Sequence, residues 1–194
     1  MSLESALDEY PKEITLHDGG RCGLRPLEHG DAKLFHEFFC AMPGQELMFL
    51  KHRVTDPEIV DGWCKDIDLG RNFPLLALMD GKIIGVATLH QQLGGWKRHI
   101  GRVSIHTHPA YRGRKLAQAM VSELIDIARQ CALEKLEAEF IEKQDRALHM
   151  FAMLGFTTLV QLPDYVKDMQ AISHDYILMG LELITDEEYA GVGG

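Results

Sequence analysis

Residues His106 to Val121 read HTHPAYRGRKLAQAMV: a strand-like run, a proline, a glycine between two arginines, a lysine, then a helix-forming segment. A strand that turns sharply into a helix places the helix's first free N–H groups at the strand's carboxyl end. Those groups and the helix dipole form an anion site, and phosphate is the usual guest. Gly113 allows close approach of a ligand to the backbone, and Arg112, Arg114 and Lys115 add full charges. The stretch lacks the GK[ST] ending of a Walker loop and the GxGxxG of a dinucleotide fingerprint.

The surrounding charge pattern points the same way. The chain carries a formal net charge of −9, which argues against a general nucleic-acid binder. Yet no Asp or Glu occurs between Asp80 and Glu123, while Lys82, Lys97, Arg98, Arg102, Arg112, Arg114 and Lys115 all fall there. A local positive field within an acidic protein favours one small anionic ligand. A solvated basic hairpin is the alternative reading of the same pattern. No apolar run spans a bilayer, since LLALMDGKIIGVATL is broken by Asp80, Gly81 and Lys82, and the acidic amino terminus does not read as a secretory signal. Cys22, Cys40, Cys64 and Cys131 form no CxxC pair and read as reduced thiols of a cytoplasmic protein.

The rest of the chain supplies the layers. EITLHDGGRCGLRPL reads as two short strands around an Asp-Gly-Gly turn. Asp31 is placed to cap a helix with Leu34, Phe35, Phe38 and Phe39 at helical spacing, and Asp56 begins a second helix with a proline just inside it. Three strands follow, FPLLALM, KIIGVATLH and HIGRVSIHT, the first two joined at Asp80-Gly81. A long helix from Arg114 to Cys131, the strand KLEAEFI, a helix over DRALHMFAML, the strand TTLVQL and a last strand HDYILMGLEL complete the order. This predicts an α/β (α+β) fold: a mixed, mostly antiparallel sheet of six to seven strands flanked by helices, with a central βαβ unit. Residues 1–13 are expected as an amino-terminal arm, 14–184 as a single domain and 185–194 as a flexible tail.

RGRKLA resembles the coenzyme A pyrophosphate motif of the GNAT (N-acetyltransferase) superfamily, [Q/R]-x-x-G-x-[G/A], with Arg112 first and Ala117 last. VSIHTHPAYRG resembles that family's fourth strand and following turn. QDRALHMFAMLGF resembles its NxxAxxxYxxxGF element, with Ala147, Gly155 and Phe156 in place, and the order of elements agrees from Ile14 to Leu183. The resemblance implies acetyl-CoA as co-substrate and transfer of its acetyl group to a primary amine by direct attack in a ternary complex. The backbone of Ile105, His106 and Thr107 would bond the pantetheine arm, and amides from Arg112, Gly113, Arg114, Lys115, Leu116 and Ala117 would hold the pyrophosphate. Gln144 and Phe151 stand where the family has an asparagine and a proton-donating tyrosine beside the cofactor, although Phe151 also suits core packing.

Lys115 replaces the motif's glycine, and Gly101 and Arg102 occupy the region of a frequent glutamate base. The candidate bases are therefore His106 and Glu139, with His90, Tyr165 and His174 more remote. His106 and His108 form an HxH without a third ligand, so no metal is expected. The segment from Met42 to Lys65 and the loop QLPDYVKDMQAIS would wall the acceptor site, with Leu47, Met48, Phe49, Tyr165 and Met169 giving it apolar character. The expected partner is an amine acceptor of unknown identity, with neither nucleic acid nor membrane. Dimers are common in such folds, and nothing in the sequence fixes one. A non-catalytic acyl-CoA sensor and a plain anion- or nucleotide-binding domain stay open as alternatives.

Overall fold

The computed structural model describes residues 3–50 and 52–183, and the expected tail lies outside the described residues. The chain opens with α1 (Leu3–Leu7), β1 (Lys12–Thr15) and β2 (Arg21–Pro26), followed by α2 (Ala32–Cys40), α3 (Gly44–Leu47) and α4 (Pro57–Lys65). A meander of β3 (Asn72–Met79), β4 (Lys82–His90) and β5 (Ile100–Thr107) leads into α5 (Leu116–Gln130). β6 (Lys135–Ile141), α6 (Asp145–Met153), β7 (Thr157–Lys167) and β8 (Ser173–Glu182) finish the described chain. One eight-stranded sheet results, one strand more than the expected maximum, in the order β1-β2-β3-β4-β5-β6-β8-β7.

Every neighbouring pair is antiparallel except β5 and β6, which α5 connects in parallel. The turn between β3 and β4 uses positive φ at both Asp80 and Gly81, the geometry that matches strand twist in a two-residue hairpin. A one-residue slip at Ala77/Leu78 then shifts the rest of that ladder.

Two apolar clusters hold helices to opposite faces. On one face, α5 buries Leu116, Met120, Val121, Leu124, Ile127 and Ala128, spaced three and four apart, against Leu75, Ala87, Leu89 and Val103. Phe151 of α6 joins this cluster, as does Ala6 of α1. The described part of the 1–13 arm, residues 3–13, packs on the domain: the Tyr10 hydroxyl donates to Glu123 of α5 at 3.2 Å, and Lys12 pairs with the same carboxylate. On the other face, Phe35, Phe38 and Phe39 of α2 and Val60 and Cys64 of α4 cover Leu76, Ile83 and Val86.

Two local expectations change. Asp31 does not cap α2. Its carboxylate instead takes two bonds of 2.6 Å from Arg25 and accepts from the Glu28 amide at 2.8 Å, closing the short 3-10 turn His29–Asp31. QLPDYVK, expected as loop, continues β7 to Lys167 with register slips between Thr158 and Val160 and between Leu162 and Val166. The strand continues through Pro163 because β7 is an edge strand, where a missing N–H costs no ladder bond.

Candidate active site

β5 pairs with β6 over only three residues, Ile100–Arg102 against Lys135–Glu137. Beyond them each strand keeps its outer partner: β5 stays on β4 up to Thr107 opposite Gly85, and β6 stays on β8 up to Ile141 opposite Tyr176. Val103–Thr107 and Ala138–Ile141 thus border a wedge whose facing backbone has no ladder. An extended chain can add to such an edge through main-chain hydrogen bonds.

At the mouth of this wedge the chain turns into α5. Gly113 has φ +80°, and Lys115, the residue preceding the helix, has φ +59° and ψ +17°. The motif's glycine position therefore does require left-handed backbone here, and lysine adopts it. Among the described residues, no carbonyl or side chain accepts from the amides of Gly113 to Gln118, and Lys115 makes no side-chain cap. These amides are a donor cluster at the positive end of a helix of 15 residues.

The arginines of the motif face elsewhere. Arg112 bonds the Thr107 carbonyl at 3.2 Å and Glu46 of α3 at 2.8 Å. Arg114 pairs with Asp18 at 3.1 Å and lies 5.1 Å from the Tyr111 ring centroid. Lys97 and Arg102 are likewise matched, by Glu137 and Glu139. Four of the seven basic residues of that window are therefore balanced by carboxylates brought from other elements, and the unpaired backbone amides are the feature that suits an anion.

Side-chain parity on β5 sorts the candidates. Gly101 faces the α5 cluster, where an added Cβ would lie 2.8 Å from Leu133 and Leu89 and 2.9 Å from Leu136. A glutamate there would be buried in the core. Arg102, Ser104 and His106 face the opposite side of the sheet, where His106 meets Phe39 with ring centroids 6.4 Å apart. Burial holds the His106 imidazole below its ordinary range, with Glu46 opposing and Arg112 adding to the effect. Glu139 of β6 is on this same side, half-exposed and clamped by Arg102 at 3.2 Å and by the Tyr176 hydroxyl at 3.0 Å. Burial, with Glu139 next in size, pushes Tyr176 up to about 12, so its hydroxyl keeps its proton. The two expected bases thus flank one wedge from its two strands.

Other expected residues have structural tasks. Gln144 accepts from the Ile141 amide at 2.9 Å and shapes the turn into α6. Phe151 is 1 % exposed and packs between Phe140 and Phe156, each centroid 4.9 Å away. Ile105 packs against the α5 cluster, leaving its backbone as the group available to the wedge. His108 accepts from the Ala110 amide, starting the turn Pro109–Tyr111. Phe49 meets His174 at 5.1 Å and Tyr165 meets Tyr176 at 5.8 Å, so these aromatic residues stand around the same open face.

Three polar residues form a chain that the sequence did not announce. His90 Nδ1 lies 2.7 Å from Asn72 Oδ1, and His90 Nε2 lies 3.2 Å from Ser104 Oγ. Burial, then the charge of Arg102, lowers His90 to about 4, with Glu139 opposing and His106 adding a smaller downward effect.

The site is thus a mixed sheet that forks at its one parallel pair, with the amino terminus of a helix at the fork. Residues 34–156 match the model of the Acetyltransferase (GNAT) family, and the chain belongs to that family. The L-amino acid N-acyltransferase MnaT of Escherichia coli is 32 % identical over 84 residues, covering 41 % of this chain and 49 % of the relative. The L-methionine sulfoximine/L-methionine sulfone acetyltransferase of Salmonella typhimurium is 31 % identical over 84 residues, with the same coverage of 41 % and 49 %. The chain thus spans about half the length of these curated relatives. In fold, it is similar to yncA of Salmonella typhimurium, solved with acetyl-CoA, at a TM-score of 0.72 and 21 % identity over 85 % of this chain and 95 % of that one. The GNAT domain of S. lividans PAT gives a TM-score of 0.72 at 17 % identity, over 89 % and 96 %.

Proposed function

We propose that this protein transfers an acetyl group from acetyl-CoA to a primary amine. The observation that carries the reading is the conjunction of an unladdered wedge between β5 and β6 with the unpaired amides of Gly113 to Gln118 at its mouth. An amide-bearing arm suits the first and a diphosphate the second. Ile105, His106 and Thr107 would present their backbone to the arm, and Arg112 to Ala117 would surround the diphosphate.

The thioester would then lie in the wedge between β5 and β6. The acceptor nitrogen attacks the thioester carbon, the C–S bond breaks, and the nitrogen's proton leaves to a base. Glu139 and His106 border the wedge, one as a clamped carboxylate and one as a neutral imidazole. Phe151 offers no proton to the departing thiolate, so that proton comes from solvent or from another group. All four cysteines are free, which supports a reducing, cytoplasmic setting.

Phe151 also favours a second reading, an acyl-CoA sensor without turnover. Two measurements separate them. Acetyl-CoA should raise the melting temperature, and a panel of primary amines should contain one that gives steady thiol release. Binding without release supports the sensor, and absence of binding removes both.

A further inference from the structure

The chain Asn72–His90–Ser104 crosses three strands on the face that borders the wedge. Asn72 and His90 are directly opposed on β3 and β4, and Ser104 lies diagonally from His90 on β5. Ser104 is also the first residue on this face past Arg102, where β5 and β6 part. Ser104 is half-buried at the base of the wedge.

We propose that Ser104 is the residue that receives the N–H of the acceptor amine, and that Asn72 and His90 lock its hydroxyl in the polarity this requires. The inference rests on the acetyltransferase reading. Asn72 Oδ1 can only accept, so His90 Nδ1 carries the ring proton and donates to it. A neutral ring then has a bare lone pair on Nε2, and the Ser104 hydroxyl must donate to it. With its single proton committed inward, Ser104 Oγ turns only lone pairs toward the wedge. An amine that points one N–H at this oxygen directs its own lone pair away from Ser104, as attack on a thioester in the wedge demands.

The polarity depends on His90 remaining neutral. The groups facing it are Arg102 and His106 from β5, which disfavour a second proton, and Glu139 from β6, which favours one, while burial works against the cation. A protonated ring would donate from Nε2, Ser104 would then direct its proton outward, and the amine would meet a donor instead of an acceptor.

Two experiments on the full chain test this. Side-chain nitrogen NMR, with His90 assigned by its loss in His90→Gln, should show the Nδ1–H tautomer, and an Nε2–H tautomer overturns the lock whether or not turnover occurs. In steady-state assays, Ser104→Ala should lower kcat/KM for the amine by about 10-fold or more. The KM for acetyl-CoA should hold, and Ser104→Thr should recover most of the loss. Asn72→Asp places a carboxylate on the ring N–H and should move the acid limb of kcat/KM upward by about one pH unit or more. A loss below about 3-fold in Ser104→Ala, or an acid limb that Asn72→Asp leaves in place, overturns the proposal while the enzyme stays an acetyltransferase. Wild-type protein that binds acetyl-CoA yet releases no thiol with any amine instead defeats the acetyltransferase reading itself, and the role of Ser104 with it.

Discussion

His174 Nε2 lies 3.0 Å from Asp168 Oδ2, and both side chains are almost wholly shielded from solvent. The other ring nitrogen is 3.4 Å from Glu142, and Asp168 Oδ1 accepts from the amides of Gln170 and Ile172. The pair therefore fastens the turn between β7 and β8 to the end of β6. The bond from His174 comes first in holding the Asp168 carboxyl below its ordinary range, against the opposing effect of burial. A carboxyl with a depressed folded-state pKa contributes stability above its unfolded value, about pH 4, and that contribution is lost as pH falls through the folded value. Asp168→Asn should lower the melting temperature at pH 6, and its deficit relative to wild type should shrink at pH 3. A deficit that stays constant across that range contradicts the assignment.

The amides at the start of α5 can be separated from overall stability by one substitution. Ala117→Glu sets a negative charge in the first turn, which should leave the helix unchanged or stabilise it by about 0.5 kcal/mol. The same charge should repel a diphosphate and weaken acetyl-CoA by at least about tenfold, or about 1.4 kcal/mol. Chemical denaturation and calorimetric titration of the same variant report the two effects independently.

Lys115 pays for its left-handed backbone with strain. Lys115→Gly should raise stability by about 0.5–1 kcal/mol, because glycine reaches φ +59° without a Cβ clash. If backbone amides rather than the lysine charge do the binding, acetyl-CoA should still raise the melting temperature of this variant. Loss of that rise would transfer the role to the ammonium group.

Gly101 lies where β5 passes beneath Leu89, Leu133 and Leu136, all within 2.9 Å of an added Cβ. Gly101→Ala should cost about 1–3 kcal/mol through overpacking, read as a lower denaturation midpoint with an unchanged slope. Gly101→Glu should prevent folding rather than supply a catalytic carboxylate.

The parts of the fold that local chemistry specifies could be read from the chain. Asp80-Gly81 announced its hairpin, KLEAEFI matched β6, and the sharp entry into α5 could be placed because its residues are contiguous. Asp31 departs from its expected cap because Arg25, six residues back on β2, holds its carboxylate away from the helix amides. QLPDYVK reads as loop because nothing in the sequence marks an edge strand, where Pro163 is tolerated. The polar chain depended on register across three strands. Counting back from the β3–β4 turn would pair Asn72 with Leu89, and only the slip at Ala77/Leu78 sets it opposite His90. Tyr176 was likewise hidden, since its bond to Glu139 needs the β6–β8 alignment.

The slips and the proline in β7 also bear on how molecules meet one another in concentrated solution. An outer strand with an uninterrupted row of donors and acceptors invites a neighbouring chain to extend the sheet, and repetition of that event builds fibrils. Here one rim is put out of phase twice and lacks a donor at Pro163, while the opposite rim is the four-residue β1. Neither offers a continuous template, so runaway stacking through strand edges is discouraged from both sides of the molecule.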